Sequence, residues 1–180
     1  IESDSIHETL QELVAHVGEG ELSLEEMGMT QINADTDNLV ALAQEPEVIR
    51  IVNLVLLEAL QKRASDIHFE IYEDVFRIRI RVDGMLHETV MPPKALALAL
   101  TSRVKVMSNM DISERRLPQD ARIELRVGTA DVDIRVSTLP TLFGENVVMR
   151  ILDRSAAMHE LPKLGIDEDV LKKINNIIRK

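Results

Sequence analysis

The residues with the clearest chemical potential are arginines that alternate with apolar residues along 115–151. Apolar residues recur there at every second position in three runs: Ile123, Leu125 and Val127; Val132, Ile134 and Val136; Val147, Met149 and Ile151. A period of two places each run on one face of a β-sheet. The opposite face then carries Arg122, Arg126, Arg135 and Arg150. Guanidinium groups on strands have fixed directions and donate in a planar fork, so they suit phosphate or carboxylate binding.

A solvated charged face is the competing interpretation of the same pattern. Exposed strand faces are normally charged, and Glu124, Asp131 and Asp133 lie among the arginines. The periodicity taken alone favours this plainer interpretation over a binding site.

The elements that must position these arginines predict an α+β fold. Residues 5–17 and 47–63 have apolar residues at helical spacing, and Pro46 suits a first helical turn. Residues 75–82 alternate, Asp83–Gly84 signals a hairpin, and residues 94–108 and 165–180 read as further helices. The order predicts an antiparallel or mixed sheet with helices packed on one side, preceded by an acidic, partly helical segment.

The charge is concentrated in residues 1–44, which hold ten acidic residues and no Lys or Arg, while the whole chain has a net charge of −10. Such a segment is a solvated tether or an acidic arm for a basic partner. The acidic balance and the scarcity of aromatic residues argue against nucleic-acid binding. The chain has no Cys, and no apolar run of eighteen residues predicts a membrane span.

Four segments resemble the hallmark segments of the ATPases of type IV pilus assembly and type II secretion. They are RASDIHFE (63–70), RVDGMLHE (81–88), ERRLPQDAR (114–122) and RVSTLPTLFGENVVMRILD (135–153). The resemblance covers about residues 46 to 155 and implies the family's second N-terminal domain, which is PAS-like and sits over the nucleotide of a following RecA-like ATPase domain. No phosphate-binding loop GxxxxGK[ST] occurs, so these residues alone are not expected to hydrolyse ATP.

The resemblance also implies an organisation and a set of partners. Residues 1–44 are expected to form an acidic helical or flexible segment, residues 45–155 the PAS-like domain, and residues 156–180 a linker and helix leading to the ATPase domain. That ATPase domain would bind ATP and Mg. Implied partners are the ATPase domain of the same or a neighbouring chain and inner-membrane platform or cytoplasmic-domain proteins. The full-length protein would be a cytoplasmic homo-hexamer, peripheral at the inner membrane through those partners, without nucleic acid or membrane insertion.

Within this resemblance the arginines become candidate arginine fingers, which raise phosphoryl-transfer rates by roughly 10³ to 10⁵. Arg122 follows the QD step, Arg135 precedes VST and Arg150 precedes ILD. These three rank first, and Arg103 and Arg116 rank behind them. For each arginine, simple pairing with Asp120, Asp131 or Asp133 is the alternative role.

One position departs from the family pattern, because Ala121 stands where the family usually has Gly after the QD step. Gly accepts a positive φ freely, whereas Ala does so at a cost. Either the backbone at Ala121 is not left-handed, or it is strained and the direction of Arg122 changes with it.

Two other interpretations stay open. The same pattern suits a free-standing PAS-like sensory or protein-interaction module without ATPase activity. His68 shares a strand face with Asp66 and Glu70 and could form a metal site. A surface or domain-interface role for His68 is favoured, because no second His lies nearby in sequence, and no metal site is predicted.

Overall fold

The computed structural model describes residues 2–19, 36–127 and 130–153, together with residues 170, 171, 173, 174 and 177. The helices in these ranges are α1 (Glu2–Glu19), α2 (Thr36–Ala43), α3 (Pro46–Gln61) and α4 (Ala97–Met107), and a 3₁₀ turn (Lys94–Leu96) precedes α4. The strands are β1 (Asp66–Ile71), β2 (Phe76–Val82), β3 (Met85–Val90), β4 (Gln119–Val127), β5 (Ala130–Thr141) and β6 (Gly144–Asp153).

The six strands form one sheet in the order β3-β2-β1-β6-β5-β4, and every neighbouring pair is antiparallel. The predicted α+β class is confirmed, and of the two predicted alternatives, an antiparallel or a mixed sheet, the sheet is antiparallel. The central pair, β1 with β6, joins segments far apart in sequence, since Asp66 lies opposite Arg150. The PAS-like description stays a prediction.

The core lies between the helices and one face of the sheet. Cross-strand register aligns Ile80, Ile67, Met149 and Val136 on this face, and all four are buried. Leu100 and Val104 of α4 belong to the same apolar cluster. The period-two pattern therefore predicted the buried face of the strands correctly, and the charged residues that alternate with it point away from the helices.

The acidic N-terminal segment contributes to this core. Helix α1 begins three residues before the predicted helix, and its Leu10 and Val14 are buried with the apolar residues of α3. His7 Nδ1 lies 3.0 Å from Glu58 Oε1, and Lys62 Nζ donates to the same oxygen at 2.6 Å. At least this part of residues 1–44 is therefore packed against the sheet-bearing part of the chain.

Several predicted features fall outside the described residues. These are residues 20–35 of the acidic segment and the first part of the linker expected within residues 156–180. The predicted helix at 165–180 is described only at 170, 171, 173, 174 and 177, where the backbone is helical. Across the described ranges, no helix combines the length and the apolar character needed to cross a membrane.

Gly144, the first residue of β6, is expected to resist substitution. Its φ is 144°, and a Cβ atom there would lie 3.0 Å from Ile71 Cδ1. Gly144→Ala should therefore lower the free energy of unfolding by about 1–3 kcal/mol, measured by chemical denaturation. Gly84→Ala is the matched control, because Gly84 also has a positive φ but its Cβ would meet no atom within 4 Å. A Gly144→Ala loss no greater than that of Gly84→Ala would contradict the steric argument.

Candidate functional site

The face of the sheet opposite the core carries five charged residues in one cross-strand row. Strand pairing places Arg81 opposite Asp66, Asp66 opposite Arg150, Arg150 opposite Arg135, and Arg135 opposite Arg122. We call these five residues the arginine row. Neighbouring strands lie about 4.8 Å apart, so the three consecutive arginines leave β6, β5 and β4 within roughly 10 Å. The structure thus brings together the three highest-ranked candidates.

Two carboxylates neutralise arginines on either side of Arg135. Asp66 Oδ1 accepts a hydrogen bond from Arg150 Nε at 3.1 Å, and Asp66 Oδ2 lies 3.4 Å from Arg81 Nε. Asp133 Oδ2 accepts a hydrogen bond from Arg122. Burial raises the pKa of Asp66, but hydrogen bonds from Ser65 and Arg150 outweigh it, and the pKa lies below its usual range. Asp66 is therefore an anionic counter-ion near neutral pH.

Arg135 lies at the centre of the three consecutive arginines and is exposed. Its side chain makes no hydrogen bond or ion pair with any residue in the part of the chain that the structure describes. Like charges in directly opposed positions destabilise a sheet, and Arg135 has an arginine opposite it on both neighbouring strands. An exposed cationic cluster with an uncompensated centre is suited to an anion with several oxygens, such as a phosphate group.

The question raised by Ala121 is settled by the backbone. Ala121 lies within β4, opposite Val136. The non-Gly residues of positive φ in the described ranges are Arg63, Asp83 and Asn109, so Ala121 is not left-handed. An extended backbone at Ala121 directs the next side chain, Arg122, to the same face as Arg135.

The two lower-ranked candidates lie outside the arginine row. Arg103 belongs to α4, on the helix side of the sheet, and its Nε is buried without a hydrogen-bond partner among the described groups. Arg116 lies in the loop between α4 and β4, where its Nη2 is 3.1 Å from Glu114 Oε2 and its side chain is 86% exposed. Neither therefore shares the cross-strand register of the other three.

A buried lysine anchors the loop that carries Arg116. Lys105 Nζ donates to the Glu114 carbonyl at 2.7 Å and lies 2.6 Å from Glu145 Oε1. Gln119 Nε2 also donates to the Glu114 carbonyl, at 3.0 Å. Sequence analysis missed Lys105, although its spacing from Thr101 and Val104 places it on the buried stripe of α4.

His68 and its two neighbouring carboxylates do not converge on one point. Asp66 pairs with Arg81 and Arg150, and Glu70 Oε1 accepts from Arg79 Nη2 at 2.7 Å. Burial lowers the pKa of His68. Among the residues described, no group of three His, Asp or Glu side chains is arranged to hold a metal ion.

Arg116 lowers the pKa of Glu114, and this effect can be measured. The side-chain hydrogen bond from Arg116, with its backbone N–H, lowers the pKa of Glu114 from 4.5 to about 2. Because this folded-state pKa is depressed, the interaction stabilises the fold above about pH 4.5 and is lost as the pH falls towards 2. An NMR titration of the Glu114 carboxyl carbon should show this low midpoint, and Arg116→Ala should raise it. The control Arg126→Ala should leave it in place, and a midpoint that Arg116→Ala does not move would contradict the assignment.

Comparisons with known proteins show the family. The family model described as "Type II/IV secretion system protein" matches residues 41–180. The chain is 46% identical over 165 residues to the type IV pilus assembly ATPase PilB of Myxococcus xanthus, which covers 91% of this chain and 28% of that protein. It is 46% identical over 144 residues to the type II secretion system protein E of Klebsiella pneumoniae, covering 80% of this chain and 29% of that protein.

A third relative, the type IV pilus assembly ATPase PilB of Pseudomonas aeruginosa, is 42% identical over 176 residues, covering 94% of this chain and 31% of that protein. The chain therefore belongs to the type II/IV secretion system protein family, as the resemblance of its motifs predicted. It spans less than a third of the length of these relatives.

Proposed function

We propose that this chain is an N-terminal portion of a secretion ATPase and that residues 45–155 form a regulatory domain that supplies arginines to the nucleotide site of an ATPase domain. The proposal is supported by family membership and carried by one observation. The Arg135 side chain is exposed and has no partner in the described part of the chain, yet it lies between Arg150 and Arg122 in the sheet.

The chemistry follows from phosphoryl transfer, in which negative charge spreads over the oxygens of the transferred group. Bound ATP and Mg would supply the reacting phosphate and neutralise part of its charge, and both would be held by the ATPase domain. Arg135 would donate hydrogen bonds to the phosphate oxygens when the two domains close. The strand fixes the face of the sheet from which the Arg135 side chain leaves, and a cation placed beside the developing negative charge stabilises the transition state.

The assembly follows from the same family membership. The full-length protein would form a homo-hexamer in the cytoplasm, peripheral at the inner membrane, with ATPase domains of the same or neighbouring chains meeting the arginine row. Its partners would be inner-membrane platform or cytoplasmic-domain proteins. One relative named for pilus assembly and one named for type II secretion are each 46% identical to this chain, over 165 and 144 residues. The proposal therefore covers both machines.

The direct test is ATP turnover by the full-length protein with Arg135 replaced by Ala. A large loss of turnover with unchanged folding would support the proposal. Turnover equal to that of the unaltered protein would remove Arg135 from the reaction and, with it, the observation on which the proposal depends.

A further inference from the structure

The three consecutive arginines of the row are held in three different ways. Arg135 has no partner among the described residues. Arg122 uses a terminal nitrogen, Nη2, to bind Asp133. Arg150 binds Asp66 through Nε, the nitrogen nearest the chain, and its side chain is 66% exposed. A guanidinium held through Nε still has N–H donors on its two terminal nitrogens. Asp66 therefore restrains Arg150 and leaves these terminal donors available to another ligand.

Asp66 is itself firmly placed. Its side chain is only 10% exposed, and it accepts a hydrogen bond from Ser65 Oγ at 2.8 Å. The backbone of Ser65 connects the neighbouring strands, because its N–H donates to the Arg81 carbonyl and its carbonyl accepts from the Ile151 N–H. The carboxylate therefore stands at a fixed point between β2 and β6, with one oxygen towards Arg81 and the other towards Arg150.

The hydrogen bond from Arg150 to Asp66 fixes the direction of the guanidinium and leaves its terminal nitrogens free to bind a ligand. We call such a bond a positioning contact. An exposed arginine that lacks such a contact samples several rotamers, and ordering it at the moment of reaction costs conformational entropy. The contact between Asp66 and Arg150 spans 84 residues of sequence. It therefore depends on the pairing of β1 with β6, which joins the two halves of the sheet.

We propose that Asp66 is a positioning residue for the candidate nucleotide site, and that it holds Arg150 by Nε so that the terminal nitrogens of Arg150 can receive a phosphate group beside Arg135. This inference rests on the proposed function. It assigns to Asp66 a role in catalysis that is exerted through Arg150 and not by contact with nucleotide.

The test is a double-mutant cycle on ATP turnover by the full-length protein, using Asp66→Asn and Arg150→Ala. Asp66→Asn keeps the size of the side chain but removes its charge, and it should lower kcat about three- to tenfold, with a smaller change in KM. In the Arg150→Ala background the same substitution should have little further effect, because the group that it positions is gone. A merely structural role would lower stability and leave the two effects on kcat additive.

Glu70→Gln is the matched control. Glu70 lies on the same strand and the same face as Asp66, its side chain is 13% exposed, and it pairs with Arg79, which is outside the arginine row. This variant should keep kcat within about twofold, because Glu70 pairs with Arg79 and with none of the arginines of the row. Thermal unfolding of each variant separates a folding defect from a loss of positioning.

The outcomes separate this inference from the proposed function. If Arg135→Ala leaves turnover unchanged, the proposed function fails, and if Arg150→Ala alone leaves it unchanged, only the present inference fails. If Arg150→Ala lowers kcat but Asp66→Asn has no effect, or has the same effect with and without Arg150, only the positioning role of Asp66 is overturned. A loss of kcat from Asp66→Asn that disappears in the Arg150→Ala background supports the positioning role of Asp66.

Discussion

Arg135→Ala in the full-length protein is expected to lower kcat for ATP hydrolysis by roughly 10³-fold, within the range known for arginine fingers. The residue is the exposed centre of the arginine row and has no partner among the described residues, so its removal costs no internal ion pair of the described fold. Thermal stability should therefore stay at or above that of the unaltered protein, because a like-charge cluster across β6, β5 and β4 is relieved. Steady-state turnover and thermal unfolding on the same preparations provide the measurement.

Two further variants sharpen this result. Arg77→Ala is the control, because Arg77 lies on the same face of the sheet, on β2, and outside the arginine row. It lies 3.9 Å from Glu88 and packs over Tyr72, and its loss should leave turnover near that of the unaltered protein. Arg135→Lys keeps the positive charge but loses the planar, two-pronged set of donors of a guanidinium. Its kcat should therefore lie between those of Arg135→Ala and Arg77→Ala. Equal turnover for Arg135→Ala and Arg77→Ala would contradict a catalytic role.

Lys105→Ala is expected to lower the free energy of unfolding by about 3–5 kcal/mol, the usual loss when one partner of a buried ion pair is removed. The side chains of Lys105 and Glu145 are 1% and 5% exposed, so the substitution leaves a carboxylate without its counter-ion away from water. It also frees the Glu114 carbonyl from one of its donors and loosens the loop that carries Arg116. Urea denaturation of the chain with and without the substitution measures the loss.

The double variant Lys105→Met, Glu145→Leu should recover much of that loss, because apolar residues of similar volume often replace a buried ion pair without penalty. Lys94→Ala is the exposed control; Lys94 donates to the Glu73 carbonyl at the surface, and its loss should change stability by about 0.5 kcal/mol or less. A Lys105→Ala chain as stable as the Lys94→Ala chain would show that the ion pair contributes nothing.

The strands of the candidate site could be predicted because their pattern is local. Alternation at Ile123, Ile134 and Met149 located β4, β5 and β6 and identified the buried face, and burial of all three residues confirms it. The same alternation placed Arg122, Arg135 and Arg150 on the other face. The motif resemblance to the secretion ATPases was confirmed by the family match over residues 41–180.

Other features depended on contacts that no local pattern contains. Helix periodicity predicted α1 but not that its Leu10 enters the core against α3. Lysine side chains are mostly exposed in proteins, and the burial of Lys105 follows only from the loop and the hairpin that meet it. Likewise, Ala121 left two backbone alternatives open until its place inside β4 excluded a positive φ.

The sequence by itself determined the strands, their faces and the family of this protein, since side-chain alternation and motif spacing are properties of short segments. The tertiary structure decided which residues of different strands stand side by side. Register between β1 and β6 is set by the hydrogen bonds and packing of the completed sheet. That register brings Asp66 to Arg150 across 84 residues and leaves Arg135 without a counter-ion among the described residues.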